Sequence, residues 1–205
     1  MTALLSTTYF GPIQWYQKLA RYPQVLIERH DSYLKQTYRN RCLIATTNGV
    51  QALTVPVSIE NGEVRTVRCS SQLIRVSDHG NWRHQHWQAL TSAYGDSPFF
   101  QYYEDDLRPF FTERWELLYD FNEAIRLKMC ELLDIHPHVT MTSEYERTGH
   151  FIDFRESINP KHPQPDADFV SRPYYQVYQA KHAFLPNLSI LDLLCNMGNE
   201  AIFYL

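Results

Sequence analysis

Between Tyr33 and Val57 the chain reads Tyr-Leu-Lys-Gln-Thr-Tyr-Arg-Asn-Arg-Cys-Leu-Ile, then Ala-Thr-Thr-Asn-Gly, then Val-Gln-Ala-Leu-Thr-Val-Pro-Val. An Asn-Gly pair between two β-favouring runs predicts a hairpin, because the tightest turns require φ > 0 at their centre. No other stretch constrains the fold as strongly. With a two-residue loop, Thr47 pairs with Val50, Ile44 with Leu53, Cys42 with Val55 and Asn40 with Val57. Alternation then puts Asn40 on the apolar face, where its amide needs partners, and turns Arg39 and Arg41 together to the other face.

Two neighbouring guanidiniums, with Lys35 and Tyr33 upstream, have the spacing of a clamp for a phosphate or carboxylate. The competing reading is a solvated strand face on which both arginines pair with acidic neighbours. Both readings stand at the level of the sequence.

Four ordered blocks carry a resemblance: Tyr33-x-Lys-Gln-Thr-Tyr-Arg-Asn-Arg-Cys42, Leu53-Thr-Val-Pro-Val57, Asn81-Trp-Arg-His-Gln-His-Trp87 and Tyr94-x-x-Ser-Pro-Phe-Phe-x-Tyr-Tyr103. In these, and in Leu4–Pro12 and Leu185–Leu194, the chain resembles the WbqC-like protein family over nearly its whole length. The resemblance implies a soluble protein that accompanies surface-polysaccharide (O-antigen-like) genes, with a glycine- or acyl-type transferase role. It brings no catalytic residue with it.

At 205 residues the chain is expected to form one domain, 1–205, with room for a sizeable core. Nineteen basic against 23 acidic residues give no electrostatic case for nucleic acid as a partner. Cys42, Cys69, Cys130 and Cys195 show no paired spacing, and no leader is evident, so reduced thiols and a cytoplasmic location are expected. No apolar run approaches the ~20 residues of a membrane helix, so the chain should not be membrane-inserted. A Gly-rich phosphate loop and a nucleophile elbow are both missing, and no cofactor is expected.

Pro12 suits the first turn of a helix from Ile13 to Arg21, which joins Leu4–Phe10 to Gln24–Arg29 as a parallel βαβ start. Ligands in such sheets favour the carboxyl ends of the strands, which here carry Tyr9, Glu28 and His30. This opening is similar to that of nucleotidylyltransferases, although Ile13-Gln14-Trp15-Tyr16 stands where they have His-x-Gly-His. Asn61-Gly62 predicts a second turn, into a strand from Val64 to Cys69. A helix from Trp82 to Tyr94 places Trp82, His86, Ala89 and Ala93 on one stripe with Leu90. His84 and His86 point apart and lack the spacing of a helical zinc site, so no metal is expected. His86 is read as a core histidine or, facing a cleft, as a general base, with His79 as the alternative base.

Helical character returns from Ser97 to Phe111, and the longest helix, capped by Thr112, runs from Glu113 to Leu133. Val139–Tyr145 and Tyr174–Tyr178 read as strands, and Asn187–Asp192 opens a last helix that closes near Gly198. Four prolines and little apolar periodicity make 147–173 a long loop, a lid, a partner-binding arm or a mobile segment.

The expected fold is therefore a single α/β domain: a mixed sheet with a βαβ start and antiparallel hairpins, under four or five helices. Two functional classes follow. One is a transferase acting on an activated anionic donor, a nucleotide sugar or an acyl/aminoacyl donor. Tyr33, Lys35, Arg39, Asn40, Arg41 and Trp82 would form its ligand site, and His86 or His79 its base. The other is a non-catalytic protein that binds a partner enzyme of the same pathway.

Overall fold

The computed structural model describes residues 1–59 and 70–205. A four-stranded, wholly parallel sheet forms its centre. The strands are β1 (Thr2–Ser6), β2 (Gln24–Glu28), β7 (Val139–Met141) and β8 (Phe151–Asp153), in the spatial order β7-β2-β1-β8. Leu4 is paired with Leu26 on one side and Asp153 on the other. Ala3, Leu4 and Leu5 are wholly buried, as both faces of a central parallel strand should be. The chain leaves β1 for β2 on one side, while β8 is added on the other. The order of connection thus reverses beside β1, the place where open parallel sheets form a crevice.

The predicted hairpin is present as β3 (Arg41–Thr46) and β4 (Gly49–Thr54). Its register differs from the expected one by two residues: Ala45 lies opposite Val50 and Cys42 opposite Leu53. A shift of two keeps every side chain on its face, so Asn40 is buried and donates to the Val55 carbonyl at 2.7 Å. The shift has a local cause. Gly49 alone takes a positive φ, +100°, while Asn48 does not, and the loop residues are Thr47 and Asn48. Gly49→Ala is expected to destabilise the protein by about 1–2 kcal/mol through backbone strain alone. Nothing lies within 4 Å of the added methyl, and a urea midpoint equal to wild type would count against this turn.

The hairpin stands as a sheet of its own, as does the pair β5 (Val57–Ser58) and β6 (Arg75–Val76). The second Asn-Gly turn and the strand expected over 64–69 lie outside the described residues. Among the described residues, five helices run for eight residues or more. These are α1 (Ile13–Arg21), α2 (Trp82–Tyr94), α3 (Phe100–Leu107), α5 (Leu118–Leu132) and α7 (Ile190–Met197). Two single turns, α4 (Pro109–Thr112) and α6 (Gln179–His182), accompany them.

The longest helix starts later than expected. Thr112 closes α4 instead of capping α5. The intervening 113–117 runs alongside 74–76, with Val76 N–H on Glu116 O at 2.9 Å and Leu118 N–H on Ile74 O at 2.8 Å. Those cross-chain bonds replace a first helical turn. Tyr174–Tyr178 is not a strand. Its Tyr174 and Gln176 side chains turn inward, where the Tyr174 hydroxyl and Gln176 Nε2 donate to the buried Asp192 carboxylate at 2.6 and 2.9 Å. The Tyr94 hydroxyl adds a third donor at 2.9 Å. Within the expected opening Asn187–Asp192, Ser189 caps α7, its side chain accepting from the Leu191 N–H.

Segment 147–173, read as one long loop, contains β8 and the buried Phe154 and Ile158. A three-residue strand is too short to show periodicity. Farther along, Asp166 accepts from Gln14 Nε2 at 2.8 Å. The Nζ of buried Lys18 is 2.6 Å from Asp166, off a hydrogen-bonding line, and 4.7 Å above the Phe154 ring.

Candidate functional site

The carboxyl ends of β2, β7 and β8 open onto a cleft of about 550 Å³. Glu28, the last residue of β2, lies under its floor and is wholly buried. Its Oε1 accepts from the His30 N–H and the Thr142 hydroxyl, both at 2.8 Å. Its Oε2 accepts from the Glu146 N–H and from Arg155 Nη1, both at 3.0 Å. Four donors compensate the desolvation of this carboxylate. They also tie the loops after β2, β7 and β8 to one group.

Arg155 is doubly held. Its Nε and Nη2 reach Asp153 at 3.0 and 2.7 Å, and the guanidinium lies 4.7 Å from the Tyr145 ring centre. Across the cleft, the buried Arg39 pairs through Nε and Nη2 with the buried Asp31, while Nη2 also donates to Ser6 Oγ at 2.8 Å. The Ser71 hydroxyl holds the other Asp31 oxygen. Arg39 Nη1 has no hydrogen-bond partner among the described residues. Paired guanidiniums fixed by buried acids are preorganised, so a ligand need not order them. His30, Ser32, Leu34, Glu156 and the exposed Arg147 complete the lining.

Of the ligand-site and base candidates named from the sequence, Arg39 lines this cleft, joined by the strand-end residue His30. Tyr33 is buried beside the cleft; burial raises its hydroxyl pKa to about 12, and the charges of Arg39 and Arg41 lower it in part. To that extent the two arginines converge. Arg41, however, is half-buried and donates to Thr54 Oγ1 at 3.0 Å. Lys35 is exposed on the turn before Arg39. Asn40 is committed to Val55 within the hairpin.

Trp82 and His86 sit in the core instead. The Trp82 indole donates to the Ser77 carbonyl at 2.9 Å, and His86 Nδ1 is 2.9 Å from the Tyr9 hydroxyl. Burial pushes the His86 pKa down to about 4, the Thr54 backbone only partly offsetting it. Its imidazole is therefore neutral at pH 7. His79 is exposed on the loop before α2. Among the described residues no cluster of His, Cys, Asp or Glu is arranged to hold a metal.

His30 and Glu28 were visible in the sequence as strand-end residues. Tyr145 closed the strand expected over Val139–Tyr145, which in the structure ends at Met141; Arg147 and Arg155 were not visible, because the three-residue β8 gives no periodic signal. The amino end of α1, the phosphate position of a nucleotidylyltransferase-like opening, is occupied by protein. Ile13 N–H donates to Leu188 O at 3.0 Å and Gln14 N–H to Asn187 Oδ1 at 2.9 Å.

Fold and cleft together define an α/β protein with a polar, charge-lined cleft outside the carboxyl ends of a parallel sheet. More particularly, the chain belongs to the WbqC-like protein family, whose model matches residues 7–162. That match contains every residue lining the cleft. The chain is also 26% identical to the Mycobacterium tuberculosis protein Rv1507c, itself uncharacterized, over 99% of this chain and 96% of that one. No solved structure matches. Among the described residues no helix is long and apolar enough to cross a membrane.

Proposed function

We propose that this WbqC-like protein is a cytoplasmic transferase acting on an activated anionic donor in surface-polysaccharide assembly, and that the strand-end cleft is its donor site. The observation that carries the reading is the pair of guanidiniums, Arg39 and Arg155, held by acids at the crevice of a parallel sheet. The lining balances Arg39, Arg147 and Arg155 against Asp31, Asp153 and Glu156. Such a balance suits a ligand with a compact anionic centre and several hydroxyls, as a nucleotide sugar has, better than a bare polyanion. His30 is the imidazole in the cleft and takes the general-base role. The free thiols of Cys42, Cys130 and Cys195 accord with a reducing compartment. The pathway rests on the family resemblance.

Isothermal titration with nucleotide sugars and acyl or aminoacyl donors tests the site. Arg147 is exposed and has no ion pair among the described residues. Arg147→Ala should therefore weaken donor binding by roughly 1–3 kcal/mol with an unchanged melting temperature. His30→Gln should leave binding intact and slow turnover ~10²-fold or more. Donor binding unaffected by Arg147→Ala would remove the cleft from consideration. A second reading, partner binding without catalysis, draws on the apolar groove of Phe99, Tyr102, Tyr103 and Met197, where Tyr102 is 75% exposed. It takes precedence if no donor of any class binds.

A further inference from the structure

Tyr145 lines the cleft from the loop after β7 and is 46% exposed, although the Arg155 guanidinium covers one face of its ring at 4.7 Å. Arg155 is itself held by Glu28 and Asp153 at 3.0 and 2.7 Å. The residue after Tyr145 is anchored as well, the Glu146 N–H donating to the same buried Glu28 carboxylate at 3.0 Å. Ring and main chain are thus fixed to one group under the cleft floor. A single exposed tyrosine is ordinary on a protein surface, but this support is not. Among the described residues the rings of Tyr22, Trp82, Trp87, Tyr119 and Phe154 also carry a cation, and each of them is buried or half-buried. At Tyr145 the cation lies on one side and the rest of the ring is left to the cleft. Leu34, also exposed, is the other apolar member of the lining.

Resting on the donor-site reading, we propose that Tyr145 is the platform on which the donor's nucleobase stacks, so that the donor is a nucleotide. Every base presents a π-face to such a ring, and a ring ordered beforehand spares the ligand the cost of ordering it. The arginines of the same cleft then meet the phosphoryl groups. A volume of about 550 Å³ lies within the roughly 300–1,000 Å³ of small-molecule sites. Two sources share this chemistry: a nucleotide sugar, and an acyl donor that carries adenine, such as a coenzyme A thioester. A sugar phosphate or an acyl phosphate offers the anion without the flat ring.

The test is titration of the full-length protein with sugar nucleotides carrying uracil, thymine, guanine or cytosine, with acetyl-coenzyme A, and with two base-free probes, a hexose phosphate and acetyl phosphate. Each is run on wild type, on Tyr145→Phe, which keeps the ring, and on Tyr145→Leu, which keeps apolar bulk without it. At least one base-carrying probe should bind wild type. Its affinity should fall roughly tenfold or more in Tyr145→Leu and stay within about threefold in Tyr145→Phe. Binding of sugar nucleotides alone would mark them as the source, binding of acetyl-coenzyme A alone would mark the acyl donor, and binding of both would mark the base itself as sufficient. If Tyr145→Leu does not fold, Tyr145→Ala against Tyr145→Phe isolates the same ring. Equal binding by all variants, or an equal loss in Tyr145→Phe, overturns the platform while the cleft stands. So does a loss of hexose phosphate that matches the loss of the sugar nucleotide, since the sugar would then be the group on the ring. Absence of binding by every base-carrying probe overturns the platform; the donor-site reading falls with it only if the base-free probes also fail to bind.

Discussion

Arg39→Met is expected to destabilise the protein by about 3–5 kcal/mol, because it removes one partner of a buried ion pair and leaves the other charged. Asp31 is 5% exposed, and only the hydroxyls of Ser71 and Ser6 would remain to face its carboxylate. For a domain near 200 residues this corresponds to a fall in melting temperature of roughly 6–20 °C. The double variant Arg39→Met/Asp31→Leu should recover most of the loss, since apolar residues replace a buried pair at little cost. Calorimetry on the two variants decides the matter. A single variant melting with wild type would mean that Arg39 is not paired in the interior, and the preorganised cleft would lose its main support.

Acid is expected to destabilise the fold through His86. Its folded pKa, about 4, lies below the unfolded value of 6.5. The unfolded chain therefore binds the proton first as pH falls, and stability is lost between those two values. The contribution is fully present above pH 6.5, and about 3 kcal/mol of it is gone by pH 4. Other titrating groups, the buried Asp192 among them, act equally in a His86→Gln variant, so the difference between the two proteins isolates the imidazole. Urea unfolding of both at a series of pH values should show wild type losing stability more steeply over this window. Parallel curves would place His86 in water.

Much of the scaffold was legible because its signals are local. Pro12 before an amphipathic run gives α1 its bounds at Ile13 and Arg21, and the stripe of Trp82, His86, Leu90 and Ala93 gives α2 its bounds at Trp82 and Tyr94. Side-chain alternation along β3 buried Asn40 even though the pairing slipped by two residues. Where local preference competed with distant backbone it lost. Residues 113–117 read as helix, yet they bond to the strand before α2.

The sequence left His86 between core and cleft, and packing put it in the core; what the sequence by itself determined was the parallel βαβ opening, the hairpin and the membership in the WbqC-like family. These follow from period, turn chemistry and ordered motifs, all of which are properties of contiguous residues. Only the tertiary structure decided where the cleft lies. Arg39 and Arg155 are 116 positions apart; the spacing to Arg41 marked Arg39 as a clamp residue, but nothing in the sequence pairs it with Arg155. Arg155 belongs to the site because β8 adds to the free edge of β1, and because one buried carboxylate, Glu28, draws the ends of three strands to the same point. A three-residue strand has no period to read, and a salt bridge has no sequence spacing. Convergence of that kind is set by the packing of the sheet.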